Sequence, residues 1–181
     1  MLYKFFQKIF IVSLILNAQI MAIETPRYQT IVKEGKYEIR IYDPMIIAKT
    51  SVESNYSDAA SAGFRRIANY IFGGNKKQMN IAMTAPVILN TPSSKNSYDI
   101  LFVMPRKHSL DDLPLPNYDN VKLQTANLGK TAVLSFGGWA SENRATYYKN
   151  KLKKFINEND YEILSDYMVA QYNSPWALPP F

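Results

Sequence analysis

Apolar and polar residues alternate along much of this chain, and a helical period replaces the alternation twice. Y-E-I-R-I-Y at 37–42 changes character at every second residue, as a strand with two unlike faces does. A short strand over 30–33 precedes it across an E-G-K turn, and Asp43-Pro44 ends it. M-I-I-A-K-T-S-V-E at 45–53 resumes as a strand. Ser57 then offers a helix N-cap, with Asp58 in the first turn. Phe64, Ile67, Ala68 and Ile71 recur at helical spacing, and Gly73-Gly74 supplies the C-cap. Strands over 79–90 and 97–104 follow, joined by a T-P-S-S-K-N turn. Within the first, Ile81, Met83, Ala85 and Val87 alternate, yet Pro86 interrupts the run. Proline donates no ladder hydrogen bond, so this segment is expected at a sheet edge or a bulge.

The proline-rich stretch 105–119 divides the chain, and the order of elements then repeats. Strands over 121–128 and 130–136 flank Gly129. Ser141 caps a second helix whose apolar stripe is Ala145, Tyr148, Leu152, Phe155 and Ile156, and strands over 161–165 and 167–172 follow. Runs of strands interrupted by two helices predict the α+β class with antiparallel sheet. The expected architecture is two pseudo-symmetric ββαββ halves forming a distorted antiparallel β-barrel or curved sheet, with both helices packed outside.

Composition narrows the chemistry. The 181 residues include no Cys and one His. Disulfides, thiolate ligands, iron–sulfur clusters and Cys-attached haem are excluded, as is a multi-histidine zinc site. His108 lies in the loop R-K-H-S, where a haem-iron ligand and a plain surface histidine are both open readings. No serine has a G-x-S-x-G context, Asp111-Asp112 diverge as neighbours, and G-G-N-K-K at 73–77 leaves a helix rather than opening one. Catalytic and metal residues are therefore expected to be absent, and no nucleic-acid motif appears.

Residues 1–22 carry Lys4 and Lys8, the apolar core I-F-I-V-S-L-I-L, and small residues at Ala18 and Ala22. That is a secretory signal pattern, too short for a comfortable membrane span; an uncleaved anchor is the alternative. The expected division is a cleaved signal peptide over 1–22 and a single domain over 23–181, exported to a periplasmic or extracellular space. Its loss removes two lysines and no acid, lowering the formal charge from +6 to +4.

Two constellations stand out as a ligand site. On the first helix, Arg65, Ala68, Asn69 and Phe72 share one face that combines an aromatic surface, a small gap and a fixed charge. A flat, apolar dianion suits it, as does an ordinary amphipathic helix with a snorkelling arginine. The C-terminal Y-N-S-P-W-A-L-P-P-F, with Pro175 and Trp176, either closes over a groove or staples the core.

Six segments together resemble the SOUL haem-binding protein family: I-E-T-P-R-Y at 23–28, Y-E-I-R-I-Y at 37–42, G-F-R-R-I-A-N-Y-I-F-G-G-N at 63–75, I-A-M-T-A-P-V at 81–87, F-V-M-P at 102–105 and Y-N-S-P-W at 172–176. The resemblance implies two halves, each pairing a helix with a four-stranded sheet. It also implies non-enzymatic carrying or buffering of haem or a related tetrapyrrole in an apolar groove beside the first helix. Carried over, the contacts fall on Arg65, Ala68, Asn69 and Phe72, with Pro175 and Trp176 from the late loop; Met83 is added as an adaptable apolar lining. His108 matches no axial-ligand position of the family, so binding is expected to rest on apolar burial and propionate pairing. Family chains usually continue past P-W with a basic run and a last strand, which this sequence lacks. The rival readings are an interaction module for a peptide, lipid or partner protein, and a hydrolase of a small hydrophobic substrate. A monomer is expected. Cleavage after Ala22 predicts a mature chain beginning at Ile23, which intact-mass measurement of the exported protein checks.

Overall fold

The computed structural model describes residues 23–91 and 97–173. The signal segment, most of the T-P-S-S-K-N turn, and Pro175 and Trp176 lie outside these. Three strands, Tyr28–Glu34 (β1), Tyr37–Tyr42 (β2) and Met45–Glu53 (β3), precede the helix Tyr56–Ile71 (α1). Val87–Thr91 (β4), Ser97–Val103 (β5), Lys122–Ala126 (β6) and Lys130–Leu134 (β7) follow, then the helix Glu142–Glu158 (α2) and Tyr167–Gln171 (β8).

The strand ladders are antiparallel and build two sheets, ordered β1-β2-β7 and β6-β3-β5-β4-β8. The α+β class holds, but among the described residues the sheets do not close into a barrel. The halves do not keep separate sheets either. β2 pairs with β7, β3 with β6 and β4 with β8, so each sheet takes strands from both halves. The chain crosses between the sheets three times, once through α2 between β7 and β8 and twice at tight corners where ladder bonding is interrupted. One is Asp43-Pro44, between β2 and β3; the other is Asn127–Gly129, between β6 and β7. The corners touch: Tyr42 N–H donates to the Gly129 carbonyl at 3.1 Å.

Several local expectations change. The α1 cap is Asn55 rather than Ser57. Its Oδ1 accepts from Asp58 N–H at 3.0 Å, and its Nδ2 donates to the Asp58 carboxylate at 2.8 Å. That reciprocal pairing satisfies an otherwise orphaned helix N–H. Ser141 stands at the N-cap of α2, but its side chain makes no capping bond. Pro86 is not on an edge. It is fully buried after a cis Ala85–Pro86 peptide, and β4 begins at Val87, between β5 and β8. Standing before the first ladder residue, its missing N–H removes no sheet bond. The strand expected over 161–165 does not form: Leu164 is 84% exposed, and β8 takes the ladder with β4 instead. Without a partner the backbone gains no strand hydrogen bonds.

α1 packs on β3 and β5 of the five-stranded sheet, and α2 packs on β7. The buried stripe of α1 is Ala59, Gly63, Ile67, Tyr70 and Ile71, with Phe64 only half-buried. It meets Ala48, Val52, Ile100 and Phe102 in the main core. Gly63 sets the approach, because a Cβ there would lie 2.3 Å from Ile100 Cγ1. On the other helix, Phe155 stacks on Tyr37 with ring centroids 4.6 Å apart.

β2 turns a charged face away from α2. Arg40 is 8% exposed, and its Nε donates to Glu38 at 2.8 Å while Nη1 donates to the Tyr42 hydroxyl at 3.0 Å. Its guanidinium lies 4.1 Å from the Tyr28 ring centroid, and Lys33 reaches the other Glu38 oxygen at 3.1 Å. The Arg40 bond, then the Lys33 bond, hold the Glu38 carboxyl below its ordinary value of 4.5.

Two predictions follow from this packing. Gly63→Ala overpacks the α1–β5 contact and costs about 1–3 kcal/mol in denaturant unfolding. A carboxylate with a depressed folded-state pKa stabilises above its unfolded value, and that contribution disappears as pH falls through the folded value. Acid unfolding of Glu38→Gln is therefore expected to show a shallower loss of stability below pH 4.5 than the parent, read from urea midpoints across pH.

Candidate ligand-binding face

The outer face of α1 runs opposite its buried stripe. Arg65 and Asn69 are exposed, Ala68 is half-buried, and Phe72 is 58% exposed at the C-cap. Spacings of three, four and seven residues bring these four onto one open face, as the sequence predicts. The neighbouring arginines divide their work. Arg66 Nη1 donates to the Ser51 carbonyl at 2.8 Å and leans on Thr50 at 3.4 Å, so it is tied to β3. Arg65 has no such tie among the described residues, and its charge is left to the face. An exposed arginine keeps five donors free for a carboxylate.

The lower end of the face is held by the helix exit. Gly73 takes φ +102°, a conformation that suits glycine, and lets the chain reverse. Gly74 N–H donates to the Asn69 carbonyl at 2.8 Å. A Cβ on Gly74 would lie 2.2 Å from Asn69 Oδ1, so only glycine allows this exit to sit against Asn69. Asn75 is buried and uses its whole amide. Nδ2 donates to the Tyr70 carbonyl at 3.0 Å and the Met79 carbonyl at 2.8 Å, while Oδ1 accepts from Lys77 N–H at 3.2 Å and Met79 N–H at 3.0 Å. The chain then returns beside the helix end, where Ile81 N–H donates to the Ile71 carbonyl at 2.7 Å.

Met83 sits on this returning segment, half-buried against the main core. The next residue, Thr84, is anchored through its hydroxyl to the Val103 carbonyl. I-A-M-T-A-P-V is thus an irregular strap between α1 and β4, not the continuous strand expected from its alternation. Pro175 and Trp176 lie outside the described residues.

Sequence reasoning missed a second concavity. A cleft of about 490 Å³ runs between the Glu24–Arg27 segment and the ends of β3 and β5, with His108, Met45 and Met104 in its wall. Arg106 straps its roof, donating through Nη1 to the Thr25 carbonyl at 2.8 Å and through its backbone N–H to Glu24 at 2.9 Å. The cleft shares no lining residue with the α1 face. It assembles residues 24 to 108 in sequence, and no local pattern announces it. Among the described residues no group of three His, Asp or Glu is placed to hold a metal, and no helix is long and apolar enough to cross a membrane.

The chain is 32% identical over 174 residues to heme-binding protein 2 of Homo sapiens, covering 90% of this chain and 84% of that one. It is 27% identical over 151 residues to heme-binding protein 1 of Xenopus laevis, covering 79% and 78%. A solved hydrolase from Listeria innocua shares the fold with TM-score 0.54 at 11% identity, over 82% of this chain and 88% of that one. Residues 23–181 match the family described as SOUL heme-binding protein, and the chain belongs to that family.

Proposed function

We propose that this protein binds haem, or a related tetrapyrrole, on the outer face of α1 and carries or buffers it without catalysing a reaction. The carrying observation is Arg65, exposed and untied beside a solvent-facing Phe72, while its neighbour Arg66 is consumed by β3. Family membership and the names of the relatives support the ligand class.

The residues of the face fit a flat amphiphilic dianion. Phe72 presents an aromatic surface to a ring. Ala68 is small enough to let a planar ligand approach the helix, and Asn69 adds hydrogen-bonding groups at its margin. Arg65 pairs with a propionate in a geometry that lysine does not reproduce. Met83 adapts to the ligand edge from the strap, and Pro175 and Trp176 belong to the proposed site through the family resemblance alone. When bound, haem supplies an iron centre; this reading gives it no protein ligand, because His108 lines the separate cleft. The non-catalytic reading rests on the relatives' names and on the lack of a serine or cysteine nucleophile motif in the sequence. Work outside the cytoplasm is part of the same proposal, and the signal-like pattern of residues 1–22 supports it.

Haemin titration followed at the Soret band tests this. The mature protein is expected to saturate at micromolar haemin, and Arg65→Glu to weaken the dissociation constant about tenfold, equivalent to about 1.4 kcal/mol. His108→Ala is expected to leave both the affinity and the spectrum unchanged. Absence of a saturable Soret shift in the parent protein sinks the reading, and a changed Soret band in His108→Ala moves the ligand to the cleft.

A further inference from the structure

The inter-half loop does not leave the α1 face alone. Leu113 and Pro114 bury themselves as anchors, and the Pro114 carbonyl accepts from the Tyr70 hydroxyl at 3.0 Å. Beyond them the loop pairs with the helix exit. Lys76 N–H donates to the Leu115 carbonyl at 2.9 Å, Asn117 N–H donates to the Gly74 carbonyl at 3.1 Å, and Asn75 bridges Pro116 between them. Gly74 is the residue whose backbone rests against Asn69 on the α1 face. The loop is thus fastened two residues past Phe72 of the proposed site, by backbone bonds that its prolines do not disturb.

What this fastened loop shows to solvent is apolar. Leu115 is 70% exposed and Tyr118 is 65% exposed. Single exposed apolar residues are ordinary, but here two stand on a loop bonded to Gly74 and Lys76, the helix exit that directly follows the exposed Phe72. Cations accompany it. Lys76 is exposed and has no ion-pair partner among the described residues, and the charge of Lys77 helps hold the Asp112 carboxyl down after its bonds from Ser109. Arg65 lies up the helix on the far side of Phe72.

We infer that the 113–118 loop is the second wall of the α1 ligand site, with Leu115 and Tyr118 giving apolar contact and Lys76 a second cationic edge. The occupant that fits is an apolar plate bearing two carboxylates, because the helix offers Arg65 and its exit offers Lys76 as separate exposed cations, with Phe72 between them along the chain. The inference rests on the proposed haem reading of α1 and adds contacts outside the helix and the late loop.

The test uses the mature protein with Leu115→Ser and Tyr118→Ser combined. Both side chains are exposed, so near-UV circular dichroism is expected to match the parent and report an intact fold. Haemin is expected to bind the variant about fivefold to tenfold more weakly, with a saturable Soret shift retained. Lys76→Glu is expected to weaken binding by about threefold at low salt, an effect that shrinks as ionic strength screens it. A parent that binds haemin with Arg65-dependent affinity, together with a double variant within twofold of it, overturns this inference and leaves the α1 site standing. A parent that does not bind haemin overturns both.

Discussion

The buried Asn75 amide fixes everything around the candidate site. A helix that ends inside a protein leaves carbonyls without partners, and each must be met or the end frays. Here one side chain meets the Tyr70 carbonyl, then ties Lys77 and Met79 into a closed turn, using both of its donors and its acceptor oxygen. A buried amide satisfied in this way is rigid, because any rotation leaves a desolvated group unpaired. The reversal of the chain at Gly73, the return of the strap past Ile71 and the seating of the proline-rich loop all follow from that turn.

The open faces of both helices are a consequence of how the sheets are built. Each sheet mixes strands from the two halves, so neither half can fold as a complete layer. α1 packs on one face of the five-stranded sheet, and among the described residues no other helix or strand packs closely on its far side, while α2 packs on the smaller sheet through β7. A ligand face on α1 therefore needs no cavity in the core. It needs only a helix whose inward stripe is strong enough to hold it, and Ile67, Tyr70 and Ile71 are almost wholly buried.

The sequence made the α+β class, most strands and the shared face of Arg65, Ala68, Asn69 and Phe72 legible, because each depends on a local period of two or 3.6 residues. It misread what depends on partners. Whether 161–165 becomes a strand is decided by who pairs with β4, which no window of sequence contains. The cap at Asn55 was legible in principle, since Asn55 and Asp58 stand in capping-box spacing, but Ser57 is an equally good cap type. The strap over 80–86 alternates like a strand and is bent by contacts with Ile71 and Val103 that are remote in sequence. The same holds for the cleft around His108, assembled from segments as far apart as Glu24 and Arg106.

The Glu38–Arg40–Tyr42 face of β2 bears on how the chain avoids the wrong fold. In the observed register Ile39 faces the interior on the α2 side and Tyr37 stacks on Phe155. A slip of one residue would turn Arg40 and Glu38 toward that aromatic surface and carry Ile39 to the opposite side. Tyr28 and Lys33, contributed by β1, would lose the cation and the carboxylate they meet. An ion pair of this kind adds little to the stability of the correct sheet, yet it makes the misaligned sheet expensive. The polar half of Y-E-I-R-I-Y thus works as an alignment key for the three-stranded sheet on which α2 packs.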